Sequence, residues 1–64
     1  MEKMKLSGRT IYYDGFRNLH LAKAVVDRSI KIRMIILGDD GKFWIVRPVD
    51  GERLCKAGYQ NAIY

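Results

Sequence analysis

The stretch Ile30 to Arg47, IKIRMIILGDDGKFWIVR, consists of two apolar, β-branched runs joined by Gly-Asp-Asp-Gly, and any fold of this chain has to accommodate it as a β-hairpin. In the first run Ile30, Ile32, Met34 and Ile36 alternate with Lys31, Arg33, Ile35 and Leu37, the period of two that strand side chains follow. From Ile35 onward both sides are apolar, so the turn end needs cover on both faces, while the Lys31 and Arg33 end keeps one face in water. Asp39 and Asp40 suit the centre of a type I turn with Gly41 in the left-handed region, which makes a three-residue loop; a two-residue Asp40-Gly41 loop competes with it. The three-residue loop pairs Leu37 with Phe43 and sets Trp44 and Val46 on the face of Ile32, Met34 and Ile36. Loops of two or four residues put Phe43 and Ile45 there instead. The first arrangement is preferred because it leaves Arg47 beside Lys31 and Arg33 at the polar end of the other face.

Length narrows the choices further. The 64 residues make a single domain, residues 1–64. At this size folding hides only about 60% of the unfolded chain's surface, too little for the deep, dry pocket of an enzyme. No stretch approaches the length of a membrane span, and Met1 to Lys5 runs into Ser7-Gly8-Arg9 without the apolar core of a secretion signal. The single Cys55 forms no internal disulfide, so the expected setting is a reducing cytoplasm. With so small a core, a homodimer is one source of added stability.

Charge is unevenly placed. Residues 1–33 carry eight Lys or Arg against Glu2, Asp14 and Asp27, whereas residues 34–64 balance four against four. A basic first half suggests a surface for an anionic partner.

Along the chain, Met1 to Gly8 reads as a lead-in with a short extended piece at Met4 to Leu6. Arg9 to Tyr13 is a strand by its β-branched and aromatic content, ended by Asp14-Gly15. Asp14 is the expected N-cap of a helix from Phe16 to Ser29, in which Phe16, Leu19, Ala22, Val26 and then Ile30 fall on one side. After the hairpin, Pro48 opens a second helix, Pro48 to Ala57, with Asp50 and Glu52 near its start and Lys56 near its end to match the dipole. Gly58 fits the left-handed position that stops a helix, and Tyr59 falls where it can close back on Leu54. Ile63 and Tyr64 are available for a short final strand.

The expected architecture is therefore α+β: a β-α-β-β-α-β, ferredoxin-like (split β-α-β) antiparallel sheet with both helices on one face, its loops minimal and a terminal strand vestigial. The open face would carry Lys31, Arg33, Arg47 and Phe43. Arg33 close to Arg47 is unfavourable unless an anion relieves the pair. With Ile11-Tyr12-Tyr13 and Lys42 to Val46 on the first and third strands, the arrangement resembles RNA-recognition motifs at the level of fold. It departs from their third-strand signature in having adjacent aromatics, with Ile45 in the second slot.

Little else carries chemistry. His20 lies on a polar arc of the first helix with no metal-ligand spacing around it, and no metal or cofactor is expected. Cys55, near a helix C-terminus where the dipole disfavours a thiolate, reads as a packing residue. Asp39 and Asp40 are explained by the turn. These absences argue against an enzyme. The expected function is a small basic binding module for nucleic acid, using Lys31, Arg33 and Arg47 on phosphates with Phe43 and Tyr12 to stack on bases. The alternative is a protein-binding regulator or inhibitor of the phage or mobile-element type, acting through Leu21, Ile35, Leu37, Ile45 and Trp44, with a homodimer as a further use of that apolar end.

Overall fold

A computed structural model describes residues 2–62. The elements are β1 (Glu2–Leu6), β2 (Arg9–Phe16), α1 (Leu19–Arg28), β3 (Met34–Leu37), β4 (Phe43–Val46), α2 (Pro48–Lys56) and β5 (Gln60–Asn61). One five-stranded antiparallel sheet in the order β1-β2-β4-β3-β5 carries the two helices, so the class is α+β as expected. No described helix is long and apolar enough to cross a membrane. Ile63 and Tyr64, expected in the final strand, lie outside the described residues; β5 is formed by Gln60 and Asn61, opposite Leu37 and Ile36.

The central hairpin takes the register of the three-residue loop. Leu37 pairs with Phe43, Ile36 with Trp44, Ile35 with Ile45 and Met34 with Val46. Gly38 N–H donates to Lys42 O at 2.8 Å, Gly41 N–H donates to Gly38 O at 3.2 Å, and Gly41 has φ 82°. Trp44 consequently lies on the inner face, where its indole covers Gly38 so closely that a Cβ there would collide with the ring. Strand β3 is shorter than its alternation suggests, because β4 ends at Val46 and offers nothing for residues 30–33 to pair with. Ile30 and Ile32, expected under a helix, are 100% and 80% exposed.

Residues 2–8 form one arm and the turn of a hairpin where the sequence suggests a lead-in. Glu2 to Leu6 pairs along its whole length with Arg9 to Tyr13. Ser7 and Gly8 both have positive φ, 51° and 81°, the two-residue turn whose twist suits a tight hairpin. Strand β2 then continues through Asp14 and Gly15 to Phe16, where it pairs with β4. Helix α1 accordingly starts later than expected, and its N-cap is Asn18, whose Oδ1 accepts from Leu21 N–H at 2.8 Å, rather than Asp14. Its stop is equally local: Ser29 N–H donates to Val26 O at 3.0 Å. Helix α2 ends as Gly58 implies, with Tyr59 N–H on Leu54 O at 3.0 Å and Gly58 N–H on Cys55 O at 3.1 Å.

The expected placing of both helices on one face does not hold. Ile11, Tyr13, Ile36, Trp44 and Val46 pack with Leu54 of α2, whereas Ile35 and Ile45 pack with Ala22 of α1, joined by Phe16, Leu19, Val26 and Phe43. These sets alternate along β3 and β4, so the helices lie on opposite faces. The strand order explains why. Strands β2 and β3 are parallel with β4 between them, and β4 and β5 are parallel with β3 between them. In the ferredoxin-like order the last strand would sit beside β2. Here β1 already occupies that edge, so β5 docks beyond β3 on the other side. Two crossovers of one hand that both step toward the same edge, from strands of opposite direction, must pass over opposite faces, and crossovers in such sheets are almost always right-handed.

Candidate nucleic-acid interface

Opposite-face helices leave one side of the first hairpin uncovered. Residues 9–13 of β2 pair with β1 and residues 14–16 pair with β4, so the first hairpin projects beyond the part of the sheet that α1 covers. On its α1 side the cross-strand partners are Lys3 with Tyr12 and Lys5 with Thr10, all exposed. Their other-side neighbours Met4 and Leu6 pack against the α2 cluster, which holds the hairpin against the body of the protein. Tyr12 is 52% exposed although its strand neighbours Ile11 and Tyr13 are buried.

Beside this shelf runs a groove of about 310 Å³ lined by Tyr12, Tyr13, Asp14, Arg33, Ile45 and Arg47. Lys3, Lys5 and Thr10 line a second hollow that Tyr12 shares. Arg47 is held from behind: its Nε donates to Asp50 Oδ2 at 3.1 Å, and Arg53 Nη1 donates to Asp50 Oδ1 at 3.3 Å. Asp50 is 1% exposed and sits in the first turn of α2, where a carboxylate also suits the helix dipole. The Arg33 guanidinium donates through Nη1 to Ile32 O at 2.9 Å.

Of the five residues expected to contact nucleic acid, Tyr12, Arg33 and Arg47 are brought into one groove. The other two are corrected. Phe43 pairs with Phe16 and Leu37 and packs in the α1 cluster, because α1 covers the face expected to be open. Lys31 is exposed in the loop before β3, its N–H on Ser29 Oγ at 3.3 Å, and is not a sheet residue. Lys3 and Lys5 were missed. Their signal was the alternation Lys3-Met4-Lys5-Leu6 ahead of the Ser7-Gly8 turn.

The protein-binding set divides the same way. Leu21 and Leu37 are exposed, but Ile35, Ile45 and Trp44 are buried and unavailable to a partner. Val25, Ile30 and Ile32 are exposed in their place.

The turn carboxylates serve the core. Asp40 Oδ1 accepts from Lys42 N–H at 2.9 Å and from Trp44 Nε1 at 3.1 Å, and Asp39 Oδ2 accepts from the Tyr59 hydroxyl at 3.1 Å. Trp44 stacks on Tyr13 with ring centroids 4.2 Å apart and tilts against Tyr59 at 5.6 Å. Burial, followed by the charge of Glu2 and the turn carboxylates, pushes the Tyr13 phenol above its ordinary value; burial and the hydrogen bond to Asp39 do the same for Tyr59. Raised phenol values in the fold mean that stability is fully present below pH 10.0 and is lost as pH rises through the folded values. Thermal melts of Tyr59→Phe should show a protein weaker at neutral pH by about 0.5–1 kcal/mol, for the lost hydrogen bond, yet declining less steeply than wild type in alkali. Parallel alkaline declines would show that Tyr59 ionisation is not linked to folding.

Among the described residues no group of three or more His, Cys, Asp or Glu could hold a metal ion. His20 is exposed, and the half-buried Cys55 packs against the α2 cluster. No family model matches the chain, and no curated protein and no solved structure matches it.

Proposed function

We propose that this chain is a small, non-enzymatic nucleic-acid-binding module whose contact surface is the uncovered side of the first hairpin and the adjoining groove. The observation that carries the reading is Tyr12, a half-exposed ring on a strand of buried neighbours, set among Lys3, Lys5, Arg33 and Arg47. An exposed aromatic face flanked by cations is what single strands use: the bases stack and the phosphates are neutralised beside them. Arg33 and Arg47 in one groove repel each other, and a bound phosphate relieves that repulsion.

Fluorescence anisotropy with a labelled single-stranded oligonucleotide tests this. Four phosphate contacts give a log–log salt slope of about −2.8, so a tenfold rise in salt should weaken binding by roughly 600-fold. Binding that ignores salt would rule the surface out.

A second reading is favoured by one specific observation, the fully exposed Ile30 with Ile32 beside it and Leu21 and Val25 on α1. Single exposed apolar residues are ordinary, but Ile30 and Ile32 together in one loop, with Val25 and Leu21 along the preceding helix, suit a protein contact, including a homodimer. Sedimentation at micromolar concentration distinguishes the cases: a dimer that becomes monomeric in Ile30→Ser/Ile32→Ser supports it, and a wild-type monomer removes the homodimer.

A further inference from the structure

We infer that the groove beside Tyr12 reads guanine, with Asp14 as the residue that determines base preference; the inference rests on the nucleic-acid reading above. A carboxylate is out of place in an anion-binding groove unless something occupies it. Asp14 shares its groove with two guanidiniums, and an ion pair to either would be the ordinary outcome. Neither forms: Arg33 turns to Ile32 O and Arg47 to Asp50. Among the described residues the Asp14 side chain takes no hydrogen bond and no ion pair, and its oxygens are left to solvent.

Position adds to this. Tyr12 and Asp14 are two residues apart on one face of β2, a Cα spacing of about 7 Å, so a base lying on the Tyr12 ring has its edge near the carboxylate. The backing of the groove is Ile45, the cross-strand partner of Asp14, which limits competition from water on that side. An ionised carboxylate only accepts hydrogen bonds, through two oxygens. Guanine presents two adjacent donors on its Watson–Crick edge, N1–H and the N2 amino group, which match two oxygens side by side. Adenine and cytosine each offer an amino group beside a ring nitrogen that is itself an acceptor, and thymine offers one N–H between two carbonyls that the carboxylate repels. Ring, carboxylate and flanking cations therefore take a nucleotide as base edge, base face and phosphate in turn.

The test uses a labelled oligothymidylate of about ten nucleotides with a single central guanine, adenine, cytosine or inosine, at constant low salt. The guanine probe should bind about five- to a hundredfold more tightly than plain oligothymidylate, the range of one good bidentate contact. Inosine, which lacks the N2 amino group, should lose most of that gain on the wild-type protein. In Asp14→Asn the guanine preference should fall to within about twofold, while plain oligothymidylate binds as well or better because a negative charge has gone. Equal binding of the guanine, inosine and thymine probes overturns the inference and leaves the binding module standing, as does an Asp14→Asn protein that still prefers guanine. Absence of binding to every probe overturns the nucleic-acid reading itself.

Discussion

Replacing Trp44 with alanine should leave the protein largely unfolded at room temperature. The indole is 2% exposed, stacks on Tyr13, leans on Tyr59 and donates to Asp40, so it joins β2, the hairpin turn and the segment after α2. Truncating a buried tryptophan costs about 3–5 kcal/mol, through lost transfer energy and the cavity left behind. A core in a chain of this size supplies only about 3–5 kcal/mol in total, so the loss is comparable to the whole stability. The close fit of the indole over Gly38 makes recovery by collapse difficult, because the turn backbone is held by its own hydrogen bonds. Trp44→Phe should remain folded with a lower melting temperature, since it keeps a ring against Tyr13 but leaves Asp40 without the indole N–H. Circular dichroism melts decide the matter: a Trp44→Ala protein melting within a few degrees of wild type would mean that the aromatic cluster does not hold the sheet together.

The second large effect is on binding. The triple variant Lys3→Gln, Lys5→Gln, Arg33→Gln should lose most of its affinity for single-stranded nucleic acid at low salt. Removing three of four phosphate contacts should also reduce the salt slope from about −2.8 to about −0.7. The fold should tolerate the change, because Lys3 and Lys5 are exposed and substitutions at such positions cost within about 0.5 kcal/mol each. Arg47 is left intact because it donates to the buried Asp50, and a buried carboxylate that loses a hydrogen-bond partner destabilises the fold. A control triple, Lys23→Gln, Arg28→Gln, Lys56→Gln, changes the net charge equally at exposed sites on the helices. If the proposed surface is the binding site, the control binds nearly as wild type. Equal losses in both triples would show attraction by net charge alone and would remove the hairpin from the interface.

The residues that fell into place from sequence are those governed by near neighbours. The turn Gly38-Asp39-Asp40-Gly41 allows loops of two or three residues; placing Arg47 beside Lys31 and Arg33 selects the three-residue loop with Trp44 as the inner ring, and the observed pairs have that register. The stop of α2 at Gly58 and the inward positions Leu19, Ala22 and Val26 of α1, of which Ala22 is fully buried, likewise follow from local turn chemistry and helical spacing. The first hairpin is legible too, in Ser7-Gly8 between two alternating runs; the lead-in reading of Met1 to Gly8, with a short extended piece at Met4 to Leu6, leaves out its turn and its pairing with Arg9 to Tyr13. Asp14 was misplaced because an Asp-Gly pair is usually a turn, whereas here β4 pairs with Asp14, Gly15 and Phe16 and keeps them extended.

What only the tertiary structure decided was the use of the sheet's edges. Nothing within a few residues of β5 tells it to pair with β3 rather than β2; β1, more than fifty residues earlier, decides this by occupying the β2 edge. That long-range competition, together with the fixed hand of strand crossovers, sends α2 to the face opposite α1, while the hand of the crossover from β2 to β3 alone sets α1 over Phe43. It also leaves the Lys3, Lys5 and Tyr12 side of the first hairpin uncovered. The local sequence determined which rings and charges each strand offers to each side. Whether a side met a helix or water was set by pairing between segments far apart in the chain, a cooperative outcome of the whole sheet that no local pattern encodes.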